Sequence, residues 1–317
     1  MQLLVNPTSY QNAQLLITKK VHRIFVGTKE FSVRNSCLLT IEEIGELVKN
    51  KNQTEIIILV NKLFFEFELE KLEQYILAIS KLNIDGIMYA DYAVNQILFE
   101  NNLNHIHQIY NPDTLVTNYE QFPFYLQNNI HEVSLARELT GTNIVKCIEN
   151  KKEMKVQVQV GGYGLMLQSR WELISNFSRF YHIDENLQNR KLFLKEPNRK
   201  HPFIIYEDSI NRETYMFTAY NLFLLKSLTE IKNIDCIRID SFLHNEEWTN
   251  EIVDIFLEAI AKLENNETLT NEFIQTSCDK LKKYDEIQSA GFFYISKEDL
   301  IYLPHSDKDD KLEWNNG

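Results

Sequence analysis

Eight short runs of β-branched and other apolar residues, each followed by a helix-like stretch, constrain the fold more than any other feature of this chain. They are LLV (3–5), IFV (24–26), EIIILV (55–60), GIMYA (86–90), IHQIY (106–110), EVSLA (132–136), VQVQV (156–160) and CIRID, which ends at Asp240. Stretches such as FELEKLEQYILAISKLN and TNIVKCIENKKE lie between them, with apolar residues near i, i+3, i+4 and i+7. Strand alternating with helix implies parallel pairing through right-handed crossovers. Eight such units predict an α/β fold, a (β/α)8 TIM-type barrel, with an open doubly wound sheet as the rival.

The spacing breaks once. The first seven runs start some 20 to 31 residues apart, but about 75 residues separate the seventh from the eighth. That gap holds a basic stretch, then PFIIYED and TYMFTA around the turn-like SINR, which predicts a β-hairpin. The segment YNLFLLKSLTEIKN after it reads as helix. The expected organisation is therefore a barrel over 1–263 with an insertion at 161–233 between strands seven and eight. A C-terminal helix and a GFFY segment (264–303) pack on the barrel, and a polar tail (304–317) is expected to be disordered.

Composition narrows the class. No apolar run approaches the roughly 20 residues needed to cross a bilayer, and MQLLVNPTSY lacks a basic region and a small-residue cleavage site. A cytoplasmic protein without membrane contact is expected. Cys37, Cys147, Cys236 and Cys278 are scattered, with no CxxC pair; Cys147 and Cys236 sit in apolar-periodic segments and read as small buried hydrophobes, whereas Cys37 alone has loop-like neighbours. Thirty-three basic and 45 acidic residues give a net charge of −12, which argues against broad non-specific nucleic-acid binding. Locally, Arg170, Arg179, Arg190, Lys191, Lys195, Arg199 and Lys200 stand against Glu172, Asp184, Glu185 and Glu196, a balance of +3. This stretch is an ordinary solvated surface or an RNA footprint.

Barrel chemistry lies just past the C-terminal ends of the strands. Those positions deliver Asn6, Asn61, Asp91, Asn111, Arg137 with Glu138, Gln168 and Arg170 through the glycine corner Gly161-Gly162-x-Gly164, and Arg238 with Asp240. Amides, carboxylates and guanidinium forks on one rim suit a small anionic molecule. Taken singly, Asn and Asp after strands are ordinary helix caps, and Arg–Glu pairs are usually structural. His105 and His107, two apart on a strand, point to one face, but no third ligand follows at telling spacing and no metal is expected. The chain contains no GxSxG, HExxH or GxxxxGK[ST] motif.

In order along the chain, FVGTKEFSVRN, VNKLFFEFELEKLEQYI, ADYAV, NPDTLVTNY, VSLARELT, VQVQVGGYGLMLQSRWELISN, IRID and GFFY resemble the collagenase-like peptidase family U32. The likeness is to its short bacterial branch, implicated in hydroxylating the wobble uridine of tRNA. It implies a barrel and, in the hydroxylating branch, use of prephenate together with an iron–sulfur cluster. In cluster-bearing relatives the glycine corner carries His-Gly-x-x-Cys and a second Cys seven residues on. Here Gly161, Leu165 and Glu172 occupy those positions, no cysteine follows in the basic insertion, and Phe223 falls near the fourth. Iron–sulfur clusters need thiolates, so no bound cluster is expected.

The resemblance further implies substrate contacts at Arg137, Glu138, Gln168, Ser169, Arg170 and Asp240 (Glu in the family); Arg238, Asn61 and Asn111 join them from the rim. Arg179, Arg190, Lys191, Arg199 and Lys200 are the expected RNA contacts. The leading expectation is a cluster-free subunit of 5-hydroxyuridine formation, with prephenate as small molecule, tRNA as partner and a longer, cluster-bearing U32 paralogue beside it. The alternatives are a non-catalytic scaffold subunit and a collagenase-like peptidase, the latter without a visible nucleophile–base pair.

Overall fold

The computed structural model describes residues 1–197, 200–284 and 287–295. Eight parallel strands close into a barrel: β1 (Gln2–Val5), β2 (Arg23–Val26), β3 (Glu55–Val60), β4 (Gly86–Tyr89), β5 (His107–Tyr110), β6 (Glu132–Ser134), β7 (Lys155–Ser169) and, after the insertion, β11 (Cys236–Ile239). Closure runs through β11, which pairs in parallel with both β1 and β7. Helices α1 (Tyr10–Thr18), α2 (Ile41–Lys49), α3 (Leu69–Ile79), α4 (Tyr92–Glu100), α5 (Phe122–Gln127) and α6 (Gly141–Glu149) fill the crossovers. Their starts are written in the sequence. The side chains of Ser9, Thr40, Asp91 and Thr140 accept hydrogen bonds from the first-turn amides of α1, α2, α4 and α6.

Period-two alternation divides each stave between two cores. On β3, Ile57 and Leu59 point into the barrel with Leu4, Phe25, Met88, Ile109 and Cys236. Ile56, Ile58 and Val60 point outward into the large core under the helices. On β7 the same alternation sends Val156, Val158 and Val160 outward, while Gln157 and Gln159 are buried in the barrel.

The insertion begins inside β7. This strand does not end at a glycine corner opening onto a helix, as the sequence suggested; it runs for 15 residues out of the barrel. Beyond the mouth it pairs antiparallel with β10 (Glu213–Phe223), which pairs with β9 (Phe203–Asp208) and then β8 (Leu192–Leu194). The expected hairpin is β9–β10. Helix α7 (Leu173–Phe180) lies on this sheet, its first amides received by Glu207 of β9. A second expectation also needs correction. The segment read as helix, 220–233, continues β10 to Phe223 and has only a 3-10 turn at Lys226–Thr229. Pairing of Asn221–Phe223 with β7, and the continuous burial of this stretch, outweigh the segment's helical spacing. Helices α8 (Glu246–Glu264) and α9 (Asn271–Lys282) and the short β12 (Gln288–Ser289), paired with β10, are the last elements among the described residues. Phe293 of the GFFY segment joins the outer core, and its carbonyl receives the Gly141 amide. The tail at 304–317 lies outside the described residues. Among the described residues no helix is long and apolar enough to cross a membrane.

Candidate functional site at the barrel mouth

The glycines of the corner serve the backbone. Gly162 has φ +93°, and a Cβ there would lie 1.9 Å from the carbonyl oxygen of Asp240. Only glycine lets β7 leave the barrel while pressed against the end of β11. A Cβ on Gly164 would stand 3.0 Å from Arg137 Cδ, so its absence makes room for that side chain. The corner thus brings Arg137 and Asp240 to the mouth rather than cradling a ligand with its own amides.

Inside the mouth lies a cavity of ≈ 20 Å³, whose polar lining is Arg34, Asn61, Asn111, Asp113, Gln159, Arg238 and Asp240. That is room for about one water molecule. Arg34 and Asp113 are its centre. Arg34 donates to Gln168 Oε1 at 2.5 Å and to Asp113 Oδ2 at 2.8 Å, with its guanidinium 5.3 Å from the Tyr215 ring. Arg238 donates to Ser134 Oγ at 3.2 Å and lies 3.9 Å from Asp113 Oδ1. Buried atoms remain without hydrogen-bond partners here: Arg238 Nε, Arg137 Nη1 and Asn111 Oδ1. Burial holds the Arg137 pKa below its usual value despite the nearby charges of Asp113 and Glu138. Burial also raises Asp240, against the pull of Arg238 and of the Phe242 amide that it accepts.

The residues expected from the sequence divide into three groups. Arg238, Asp240, Asn61 and Asn111 line the cavity; Arg137 stands behind Gly164, and Gln168 reaches the cavity through Arg34. Asn61 is occupied by the loop that carries Arg34, accepting from the Val33 amide and donating to its carbonyl, each at 2.9 Å. A second group holds structure. Asn6 bonds Asn35 and the Phe25 carbonyl, Asp91 caps α4, and Ser169 Oγ accepts from the Trp171 amide. The third points elsewhere. Arg170 turns outward, bonding the Leu63 carbonyl and Glu68, lying 3.1 Å from Glu213 and stacking on Phe65 at 4.2 Å. Glu138 is exposed. Of the expected RNA contacts, Arg179 bonds Asn176, Arg190 pairs with Glu185, and Lys191 caps the Tyr163 hydroxyl and ring. Lys200 is exposed and Arg199 lies outside the described residues.

Arg34 and Asp113 were not among the expected site residues. Asp113 could have been found by reading two positions past Asn111. Arg34 sits eight residues beyond Val26, at φ +51°, and folds back over the mouth. A rule that reads only the residues adjoining a strand misses it.

The positions at which cluster-bearing relatives place cysteine do not fit a cluster. Leu165 lines the cavity, Glu172 is paired with Arg212, and Phe223 is fully buried against Phe256. The four cysteines are buried, and burial pushes the thiols of Cys37 and Cys236 up to about 12 and those of Cys147 and Cys278 to about 11. None is poised as a thiolate nucleophile. His107 bonds Glu132, and His105 is exposed.

The model of peptidase family U32 matches residues 8–301. The chain belongs to that family. The tRNA hydroxylation protein P2 of Bacillus subtilis (strain 168) is 25% identical over 307 residues, covering 92% of this chain and 97% of that protein. The uncharacterized protease MJ0090 of Methanocaldococcus jannaschii is 24% identical over 282 residues, covering 86% of this chain and 67% of that protein. The solved structure of the U32 peptidase Mk0906 superimposes with a TM-score of 0.46 at 12% identity, over 75% of this chain and 92% of the other.

Proposed function

We propose that this U32 chain acts in the hydroxylation of tRNA wobble uridine, binding a small anionic molecule at its barrel mouth. The observation that carries the reading is similarity along almost its whole length, and almost the whole length of the relative, to a tRNA hydroxylation protein. The mouth is consistent with it: Arg34 and Arg238 line one cavity with Arg137 behind Gly164, and Arg137 and Arg238 each keep a buried donor unused. Guanidinium groups in a partly desolvated cleft select carboxylates by paired, charge-assisted hydrogen bonds. Prephenate is the proposed anion. Asn111 and Asp240 complete the binding set, and Arg137 assists from behind Gly164.

In this reading the chain works in the cytoplasm without an iron–sulfur cluster. It holds substrate and tRNA beside a longer, cluster-bearing paralogue that supplies the redox chemistry. The tRNA approaches across the insertion that carries Arg179, Arg190, Lys191 and Lys200. Deleting the gene and analysing tRNA nucleosides by mass spectrometry tests the reading. Loss of 5-hydroxyuridine-type nucleosides, restored by the wild-type chain and not by Arg238→Ala, supports it. Unchanged tRNA sinks it. Restoration by Arg238→Ala and Arg34→Ala alike would instead favour a scaffold subunit, the reading to which the small volume of the cavity lends some weight.

A further inference from the structure

Asp113 stands where the anion would bind. It follows Asn111 and Pro112 at the exit of β5 and takes a left-handed backbone, φ +63°, which aspartate adopts more readily than most residues. Its carboxylate reaches Arg34 at 2.8 Å through one oxygen and lies 3.9 Å from Arg238 through the other. It also lines the ≈ 20 Å³ cavity. No molecule with two carboxylates fits that space beside it. Meanwhile Arg238 Nε and Arg137 Nη1, both buried, have no partner, so the site holds more donor capacity than Asp113 consumes.

We propose that Asp113 is an internal competitor for the mouth: its carboxylate fills the position that a ligand carboxylate takes between Arg34 and Arg238, and binding requires Asp113 to swing out. The proposal rests on the anion-binding reading of the mouth and adds to it a gate. With Asp113 displaced, the guanidinium groups of Arg34 and Arg238 face Asp240 alone in the cavity, a net positive balance that suits a small carboxylate ligand. The exposed bend at Thr114–Leu115 gives Asp113 somewhere to go.

Isothermal calorimetry on the full chain, with prephenate and malonate as probes, tests this. Asp113→Ala and Asp113→Gly, the second matched to the left-handed backbone, should bind prephenate more tightly than the wild type. The expected gain is about tenfold or more, the reciprocal of an open fraction at or below roughly one tenth. Arg34→Ala and Arg238→Ala should bind neither probe. Thermal melting of each variant checks the fold. Unchanged or weaker binding by both well-folded Asp113 variants overturns the competitor, while loss of binding in the arginine variants leaves the mouth as the anion site. Asp113→Ala and Asp113→Gly that both fail to fold overturn it too, since Asp113 is then a structural pin. If neither the wild type nor any Asp113 variant binds either dicarboxylate, the anion-binding reading itself falls.

Discussion

The two ends of the barrel use the same side chains to opposite ends. At the floor, Arg23, Glu55, His107 and Glu132 are each the first residue of a strand. Arg23 crosses from β2 to β6, meeting Glu132 Oε1 at 2.7 Å, and His107 meets Oε2 at 2.7 Å. Both oxygens of that carboxylate are matched by a donor, and Arg23 has a second acid, Glu55, at 3.0 Å. At the mouth, by contrast, Asp113 is stretched between two arginines and further donors are left over. Barrel floors serve stability and mouths serve chemistry. What separates them here is the degree of pairing: Arg23 Nε, itself without a hydrogen bond, still lies 3.0 Å from Glu55, whereas Arg238 Nε and Arg137 Nη1 at the mouth are buried without a hydrogen-bond partner.

Glu132 gives the largest expected effect. Burial alone would raise its pKa, but the His107 hydrogen bond and the Arg23 charge outweigh it and hold the group down to about 2, from an ordinary 4.5. Glu132→Gln leaves Arg23 buried beside an uncharged partner and should cost about 3–5 kcal/mol of stability, read as a lower urea midpoint. Because the folded pKa is depressed, the contribution of Glu132 is fully present above pH 4.5 and is lost as the pH falls toward about 2. The variant should flatten that acid limb. If Arg34→Ala at the mouth destabilises the chain equally, the contrast between the two ends is broken.

The floor also shows what could be read from the sequence. All eight staves announce themselves as apolar runs, because a strand buried on both faces needs them. The insertion is visible as a gap in the spacing. The floor network is not visible, since Arg23, His107 and Glu132 look like polar punctuation at strand starts, and only closure of the barrel brings residues 109 positions apart into contact. At the mouth, Asn111, Arg238 and Asp240 follow from the strand-end rule. Arg34 and Asp113 do not, because each reaches the cavity from a left-handed turn in a loop, a geometry set by tertiary contacts such as Asn61 on Val33. Arg170 shows the converse: its place after the long strand suggested the rim, yet β7 carries it past the mouth to Glu68.

Asp240 sharpens the contrast with a smaller effect of opposite sign. Burial raises its pKa above 3.8 in spite of Arg238, so its ionised form is disfavoured by folding. The cost is absent below pH 3.8 and appears as the pH rises through the folded pKa. Asp240→Asn keeps an acceptor for the Phe242 amide and should therefore match the wild type at neutral pH or exceed it, by about 1 kcal/mol at most. Glu132→Gln is expected to lose stability under the same conditions. Denaturant titrations of both variants near pH 7 and pH 4 read the two signs side by side. A clear loss in Asp240→Asn at neutral pH would make Asp240 another structural ion, and the mouth less open than its unpaired donors imply.

The smallest effects belong to the insertion, where the comparison passes from stability to binding. Arg190 and Glu185 are both about half exposed, and such pairs contribute at most about 1 kcal/mol. Arg179 bonds only a neighbouring amide among the described residues. Arg179→Ala and Arg190→Ala should therefore leave the melting curve unchanged within about 0.5 kcal/mol. If tRNA crosses this face, each substitution should nevertheless weaken binding, and the log–log salt slope of tRNA affinity should fall by roughly one for every phosphate contact removed. Equal slopes for the variants and the wild type would move the RNA path off the insertion. The arginines there would then be solvated surface, and the proposed site would reduce to the anion-binding mouth around Arg34 and Arg238.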